Sequence, residues 1–207
     1  MANIPTEEPS MSYTIRLAQP DDAAGILAIY GPHVINTSAS FEYQPPSIAE
    51  MQQRISKTLQ KYPWIVAQDN DSGQILGYAY TSTYRERSAY QWDAETSIYI
   101  HPDAQRRGIA RQLYGLLFDI SRKQNLLTLY GVVTLPNPAS IQLHSAMGFQ
   151  QFAIFENVGY KHGQWHHVAW MRLILSDYSK NPHMFIPFSQ LDPAQWQALF
   201  DACNAAQ

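Results

Sequence analysis

The chain has 207 residues, 45% of them apolar and 15% charged, which suits one domain with a real core and excludes a disordered chain. A formal net charge of −3 gives no electrostatic reason to expect a nucleic-acid partner. The single cysteine, Cys203, excludes an internal disulfide and a thiolate metal cluster, and no apolar run is long enough to span a membrane.

Residues 1–12 read as a loose leader. The stretch Met1 to Ser10 is polar and acidic and lacks the basic and apolar regions of a signal peptide, so a cytoplasmic location is expected. Tyr13 to Leu17 alternates as a first strand, and Asp21 or Asp22 is expected to cap a helix carrying Ile26, Leu27, Ile29 and Tyr30. Residues 31–46 read as a loop rich in polar and aromatic side chains. Ser47-Ile48-Ala49-Glu50 is a capping box, which predicts a helix from about Ile48 to Lys61. Trp64 to Gln68 and Gln74 to Tyr84 read as a hairpin around Asp69-Asn70-Asp71-Ser72-Gly73.

Glu95 to His101 alternates as a further strand. The segment Gln105-Arg106-Arg107-Gly108-Ile109-Ala110 follows it and opens into a helix with Ile109, Leu113, Leu116, Leu117 and Ile120 on one face. A small-residue turn at a helix start presents unpaired N–H groups and the positive end of the helix dipole, which is a site for a phosphate group. Leu127 to Thr134 is apolar and β-branched, as a central strand would be. Asn137 to Met147 predicts a short helix ended by Gly148, and Phe149 to Gly159 and Val168 to Leu175 predict two strands around Lys161-His162-Gly163. Beyond Ser176, Pro182 and Pro187 interrupt regular structure. Asp192-Pro193 then starts an amphipathic helix with Trp196, Leu199, Phe200 and Cys203 on one side, expected to cover part of the core or meet a second subunit.

The spacing of Gln105, Gly108 and Ala110, with a strand before and a helix after, resembles the fingerprint of the GCN5-related N-acetyltransferases (GNAT). Further matches are Tyr62-Pro63-Trp64, Ala89-Tyr90-Gln91-Trp92, Ala94-Glu95, Leu135-Pro136-Asn137, Met147-Gly148-Phe149 and Lys161-His162-Gly163-Gln164-Trp165-His166. Together they resemble the phosphinothricin and methionine sulfoximine acetyltransferase subfamily over residues 13–175. The resemblance implies a mixed α/β fold whose twisted, mostly antiparallel central sheet splays at the cofactor site and is flanked by helices. Residues 176–207 would be a C-terminal extension outside the acetyltransferase domain.

It also implies acetyl-CoA as co-substrate and a small amino acid or analogue as acceptor. Acetyl transfer from a thioester to an amine needs a base for the amine, donors for the developing oxyanion and accommodation of the departing thiolate. The resemblance puts the base at Glu95, the one charge in Ala94 to Ile100, and a titrating partner, acid or base, at His144. Backbone groups of Ile98, Tyr99 and Ile100 are expected along the pantetheine and oxyanion. Gln105, Arg106, Arg107, Gly108, Ile109, Ala110 and Arg111 are expected at the pyrophosphate, and Asn137 at the pantetheine.

Arg85 and Arg87 are suited to clamp an anionic end of the acceptor, Arg85 standing where the subfamily has lysine. Phe41, Tyr90, Tyr99 and Tyr114 are expected to line the acceptor walls, or else to be core aromatics. His162, His166 and His167 lack an accompanying carboxylate or thiolate set, so no metal is expected, and Cys203 reads as a packing residue. Homodimerisation is common in the subfamily and is expected here, with neither nucleic acid nor membrane as partner. The rival readings are the same transfer to a protein N-terminus or a polyamine, and a non-catalytic acyl-CoA sensor.

Overall fold

The computed structural model describes residues 12–206; residues 1–11 of the expected leader lie outside the described residues. Seven strands form one sheet: β1 (Tyr13–Leu17), β2 (Trp64–Asp69), β3 (Ile75–Thr83), β4 (Asp93–Ile100), β5 (Thr128–Thr134), β6 (Gln150–Lys161) and β7 (Gln164–Ile174). Their order is β1-β2-β3-β4-β5-β7-β6. Neighbours run antiparallel except β4 and β5, which are parallel. Helices α1 (Ala23–Asn36), α2 (Ile48–Lys61), α3 (Ile109–Lys123), α4 (Pro138–Ala146) and α5 (Pro193–Ala205) surround it.

Alternation along β2 shows how the layers arise. Trp64 and Val66 join Ile26 and Ile29 of α1 and Met51 and Ile55 of α2 in one core. Ile65 and Ala67 face the other way, into a larger core with Ile109, Leu113 and Leu117 of α3 and Phe200 of α5. The sheet is therefore sandwiched between two helical layers.

The helix starts follow from their first residues. Ser47 Oγ accepts the Glu50 N–H at 3.2 Å while the Glu50 carboxylate accepts the Ser47 N–H at 2.7 Å, the reciprocal cap expected of that tetrapeptide. Asn137 Oδ1 caps α4 by accepting the Ser140 N–H at 3.1 Å. Asp192 accepts the Ala194 N–H at 3.0 Å with Pro193 opening α5.

Three expectations are corrected. The first helix does not stop at Tyr30 but runs through Pro32 to Asn36. The buried Val34 in its last turn gives that extension an apolar anchor that outweighs the bond lost at proline. Asp22 does not cap it through its side chain; the carboxylate accepts the Gln19 N–H and pairs with Arg16 at 2.7 Å. Finally, β6 and β7 extend to a two-residue turn, His162-Gly163, with positive φ at both (50° and 77°), which matches the twist of the flanking strands.

The last segment folds back on the domain. Trp92 Nε1–H donates to the His183 carbonyl at 2.8 Å, and the buried Gln124 amide donates to the carbonyls of Lys61 and Ile186. Helix α5 then packs on α3 and β1. Asn204 accepts the Ile15 N–H at 2.8 Å and donates to the Ile15 carbonyl at 2.9 Å, so its side-chain amide stands in for a neighbouring strand on the edge of the sheet. Asn204→Ala is expected to lower the unfolding free energy by about 1–3 kcal/mol, through two peptide groups left without their partner. Urea titration checks this; a midpoint equal to the parent's counts against the docking role.

Candidate active site

The site begins where the sheet comes apart. β4 pairs with β5 from Asp93↔Thr128 to Thr96↔Gly131 and no further. Ser97 to Ile100 remain bonded to β3 on one side. Past that point the two strands border a cavity of about 690 Å³ lined by Ile98, Tyr99, Ile100, Gln105, Arg106, Gly108, Ile109, Ala110, Arg111, Val132, Asn137 and His144, among others. The expected phosphate-loop and pantetheine residues thus border one groove, except that Arg107 is not among its lining residues.

The turn at the groove's end is built for an anion. Arg106 and Gly108 both have positive φ (63° and 81°), and Gly108 is the N-cap of α3 with no side chain to satisfy the first N–H groups. A Cβ at Gly108 would meet nothing within 4 Å, so the left-handed backbone, and not crowding, is what glycine supplies here. These residues fit a pyrophosphate. Because Asn137 Oδ1 is used to cap α4, it is the Nδ2 donors that suit an amide carbonyl in the groove.

Pleating divides β4 into two functions. Glu95, Ser97 and Tyr99 share a face with their cross-strand partners Ser82, Tyr80 and Tyr78 on β3. Tyr99 lies there against Tyr30, His33 and Tyr78, with ring centroids 5.3–5.4 Å apart. Burial pushes the Glu95 carboxyl above the usual carboxylate range, and nearby Arg85 opposes the shift. Glu95 is not itself among the groove's lining residues, though its neighbours Thr96 and Ser97 are, and a raised pKa is the direction that strengthens a base.

His144 is buried on the opposite side of the groove. Its Nδ1 lies 2.8 Å from the Ser140 carbonyl, which can only accept, so Nδ1 carries the proton. Nε2 therefore presents a lone pair, and the Tyr114 hydroxyl 3.0 Å away donates to it. Burial pushes the imidazole below its ordinary pKa. Tyr114 is fully buried on α3, so the structure places it beside His144 in the groove and not among the aromatics of the Glu95 face. Gly131 makes room for this pair: a Cβ there would stand 2.5 Å from His144 Nε2.

The expected acceptor residues come from two directions. Arg85 lies over the rings of Tyr84 and Tyr90, at 5.1 and 5.5 Å, in the turn after β3, and Arg87 is exposed in the same turn. Phe41 comes from the loop between α1 and α2, and its ring lies so close to Gly159 that a Cβ there has no room. That loop is held by the β6–β7 hairpin. Lys161, 2% exposed, donates to the carbonyls of Val34 and Ser40 at 2.6 Å each, and Tyr43 donates to the Tyr160 carbonyl at 2.7 Å.

His166 is buried and bonded to the Lys161 carbonyl, and the described residues contain no group of metal-ligating side chains. Sequence reading had passed over Lys161 as a functional residue, as it had the Tyr114–His144 pair. A lysine flanked by the turn residues His162 and Gly163 carries no sign in the sequence that its amine will be buried.

Comparison with known proteins completes the description. Residues 15–170 match the family described as acetyltransferase (GNAT) domain. The chain is 42% identical over 156 residues to phosphinothricin N-acetyltransferase of Alcaligenes faecalis, covering 73% of this chain and 77% of that protein. It is 35% identical over 166 residues to the L-methionine sulfoximine/L-methionine sulfone acetyltransferase of Pseudomonas aeruginosa, covering 80% and 96%. A phosphinothricin acetyltransferase from Sinorhizobium meliloti, solved with acetyl-CoA, superposes with a TM-score of 0.79 at 35% identity, covering 87% of this chain and 98% of that one.

Burial of His144, which outweighs the opposing bond to the Ser140 carbonyl, has a pH consequence. Its unfolded-state imidazole binds a proton at higher pH than the folded one, so stability is expected to fall as pH drops below about 6.5, toward the lowered folded pKa. Subtracting a His144→Gln variant from the parent isolates this slope in chemical denaturation between pH 5 and pH 7. Parallel curves for the two proteins would argue that the imidazole is not buried in its neutral form.

Proposed function

From the chain's membership of the GNAT family, which makes it an acetyl-CoA-dependent N-acetyltransferase, we propose that its acceptor is the amino group of a small polar amino acid or analogue of the phosphinothricin or methionine sulfone type. The observation that carries this reading is the placement of Glu95 on the face of β4 that also holds Tyr99, next to the cationic turn of Arg85 and Arg87. An amine acceptor arrives protonated at neutral pH and needs a base; its polar end needs donors. A polyamine would favour carboxylates where these arginines stand.

Acetyl-CoA supplies the acyl group as an activated thioester. Arg106 to Arg111 would hold its pyrophosphate through backbone N–H groups at the start of α3, and Asn137 its pantetheine amide. The unpaired edge of Ser97 to Ile100 offers peptide groups to an extended chain, as a strand edge does to a peptide, and an N–H there suits the developing oxyanion. Glu95 takes the proton from the amine, directly or through one water. Lowered basicity keeps His144 neutral, so its part is to hold the Tyr114 hydroxyl at the groove and not to arrive as a charged acid.

A homodimer is part of the proposal. Strand β6 is an edge strand, and Phe152, Ile154, Phe155, Val158 and Tyr160 on it are all about half exposed, a concentration of apolar surface that a partner copy would cover. A single cysteine, which leaves no internal disulfide, suits work in the cytoplasm.

Coenzyme A release with methionine sulfone, phosphinothricin, a polyamine and an N-terminal peptide as acceptors tests the substrate class. Turnover confined to the polyamine or the peptide would overturn it. Glu95→Gln is expected to depress kcat by roughly 10²–10⁴-fold near neutral pH, with recovery at higher pH as the amine loses its proton to solvent. The parent's acid limb should lie above the ordinary carboxylate range. A variant whose pH–rate profile matches the parent's would remove Glu95 as the base.

A further inference from the structure

A second cavity, of about 640 Å³, lies under α2 and over β2 and β3, and nothing described so far uses it. Its wall is aromatic: Tyr80 stacks on Trp64 at 4.2 Å and 15°, with Tyr78 stacked beyond. Its rim is charged, with Arg54, Lys57 and Lys61 against Glu42 and Glu86. Trp64 is 4% exposed, and its Nε1–H is buried without a hydrogen-bond partner.

The cavity shares a sheet face with the proposed base. Ser82 and Tyr80, which line it, stand directly across from Glu95 and Ser97. β2 stands two strand spacings, roughly 10 Å, from β4 within the sheet, and the rim under α2 is therefore on the order of 10 Å or more from Glu95. Arg54 meets Glu42 through one nitrogen, Nη1 to Oε1 at 2.6 Å, in an exposed pair that an incoming anion can exchange at little cost. A guanidinium that has made one such bond still has donors for a second carboxylate.

We propose that this cavity is a distal acceptor subsite, in which Arg54 binds an anionic group about 10 Å from the reacting amine while the body of the acceptor lies on the Tyr80–Trp64 ledge. The inference rests on Glu95 marking the amine, and it deepens the substrate class given above. An amino acid of glutamate size is too short to bridge that distance. At about 3.3–3.6 Å per extended residue, a dipeptide with an acidic second side chain is the smallest peptide-like amine that reaches.

Three acceptors separate the possibilities: alanyl-glutamate, alanyl-glutamine, which keeps the terminal carboxylate and loses only the side-chain charge, and methionine sulfone, which is too short to reach the rim. With the parent enzyme, alanyl-glutamate is expected to show a KM about tenfold below that of alanyl-glutamine, one charge-assisted bond's worth. Arg54→Met should abolish that preference, raising KM for alanyl-glutamate about tenfold while its kcat holds. The same substitution should shift KM for methionine sulfone much less.

Acetyl-CoA affinity measured on the variant confirms that it is folded. Equal KM values for the two dipeptides, or equal shifts for the acidic dipeptide and methionine sulfone, would overturn the subsite while leaving the amino-acid reading intact. Loss of all amine turnover in the parent enzyme would instead sink the reading on which it rests.

Discussion

Everything at this site depends on one interruption: after Thr96↔Gly131 the parallel pair β4 and β5 stops exchanging hydrogen bonds. A parallel pair needs a crossover between its strands, and here α3 supplies it, with its start on one side of the opening. The same divergence leaves peptide groups of β4 unpaired on the groove side. An interruption in the middle of a sheet is costly unless something extended takes the missing place. The fold therefore contains a gap shaped like a strand, closed at one end by a helix N-terminus. A molecule with a pyrophosphate, a long amide-bearing arm and a reactive end fits that outline in the same order.

The opposite face of β4 is organised by side chains. Glu95 and Tyr99 look onto a layer of tyrosines and Trp64 beneath α1 and α2. Charges there are few and mostly at the edges, so a half-buried carboxylate feels its burial strongly. Across the groove, His144 and Tyr114 are neutral and fully hydrogen-bonded. On the proposed reading, the base and the neutral Tyr114–His144 pair thus stand on different sides of β4.

Much of this was legible in the chain because the signals were local. The Ser47–Glu50 cap, the Asp69–Gly73 turn, Gly108 and Gly148 each act through backbone constraints a few residues long, and the structure has them where the sequence puts them. Local signals also misled. The polar and aromatic side chains of residues 31–46 read as a loop, but Val34 buries itself only because α1 lies on the sheet.

The sequence places Tyr114 on the acceptor wall or in the core; its bond to His144 joins residues thirty apart, and Gly131, on a third element, makes the space. The Arg54–Trp64 cavity joins α2, β2 and β3 in the same way. Such relations follow from packing between elements, which short-range pattern does not encode.

The amine of Lys161 carries a practical lesson for re-engineering. It ends a β-hairpin yet satisfies one carbonyl in the last turn of α1 and one in the loop that follows, while Phe41 from that loop occupies the space that Gly159 leaves open. Grafting residues 37–46 from a relative without residues 159–163 would strand a buried ammonium or drive a foreign side chain into the hairpin. Loop and hairpin form a single module, and a change in either has to be matched in the other.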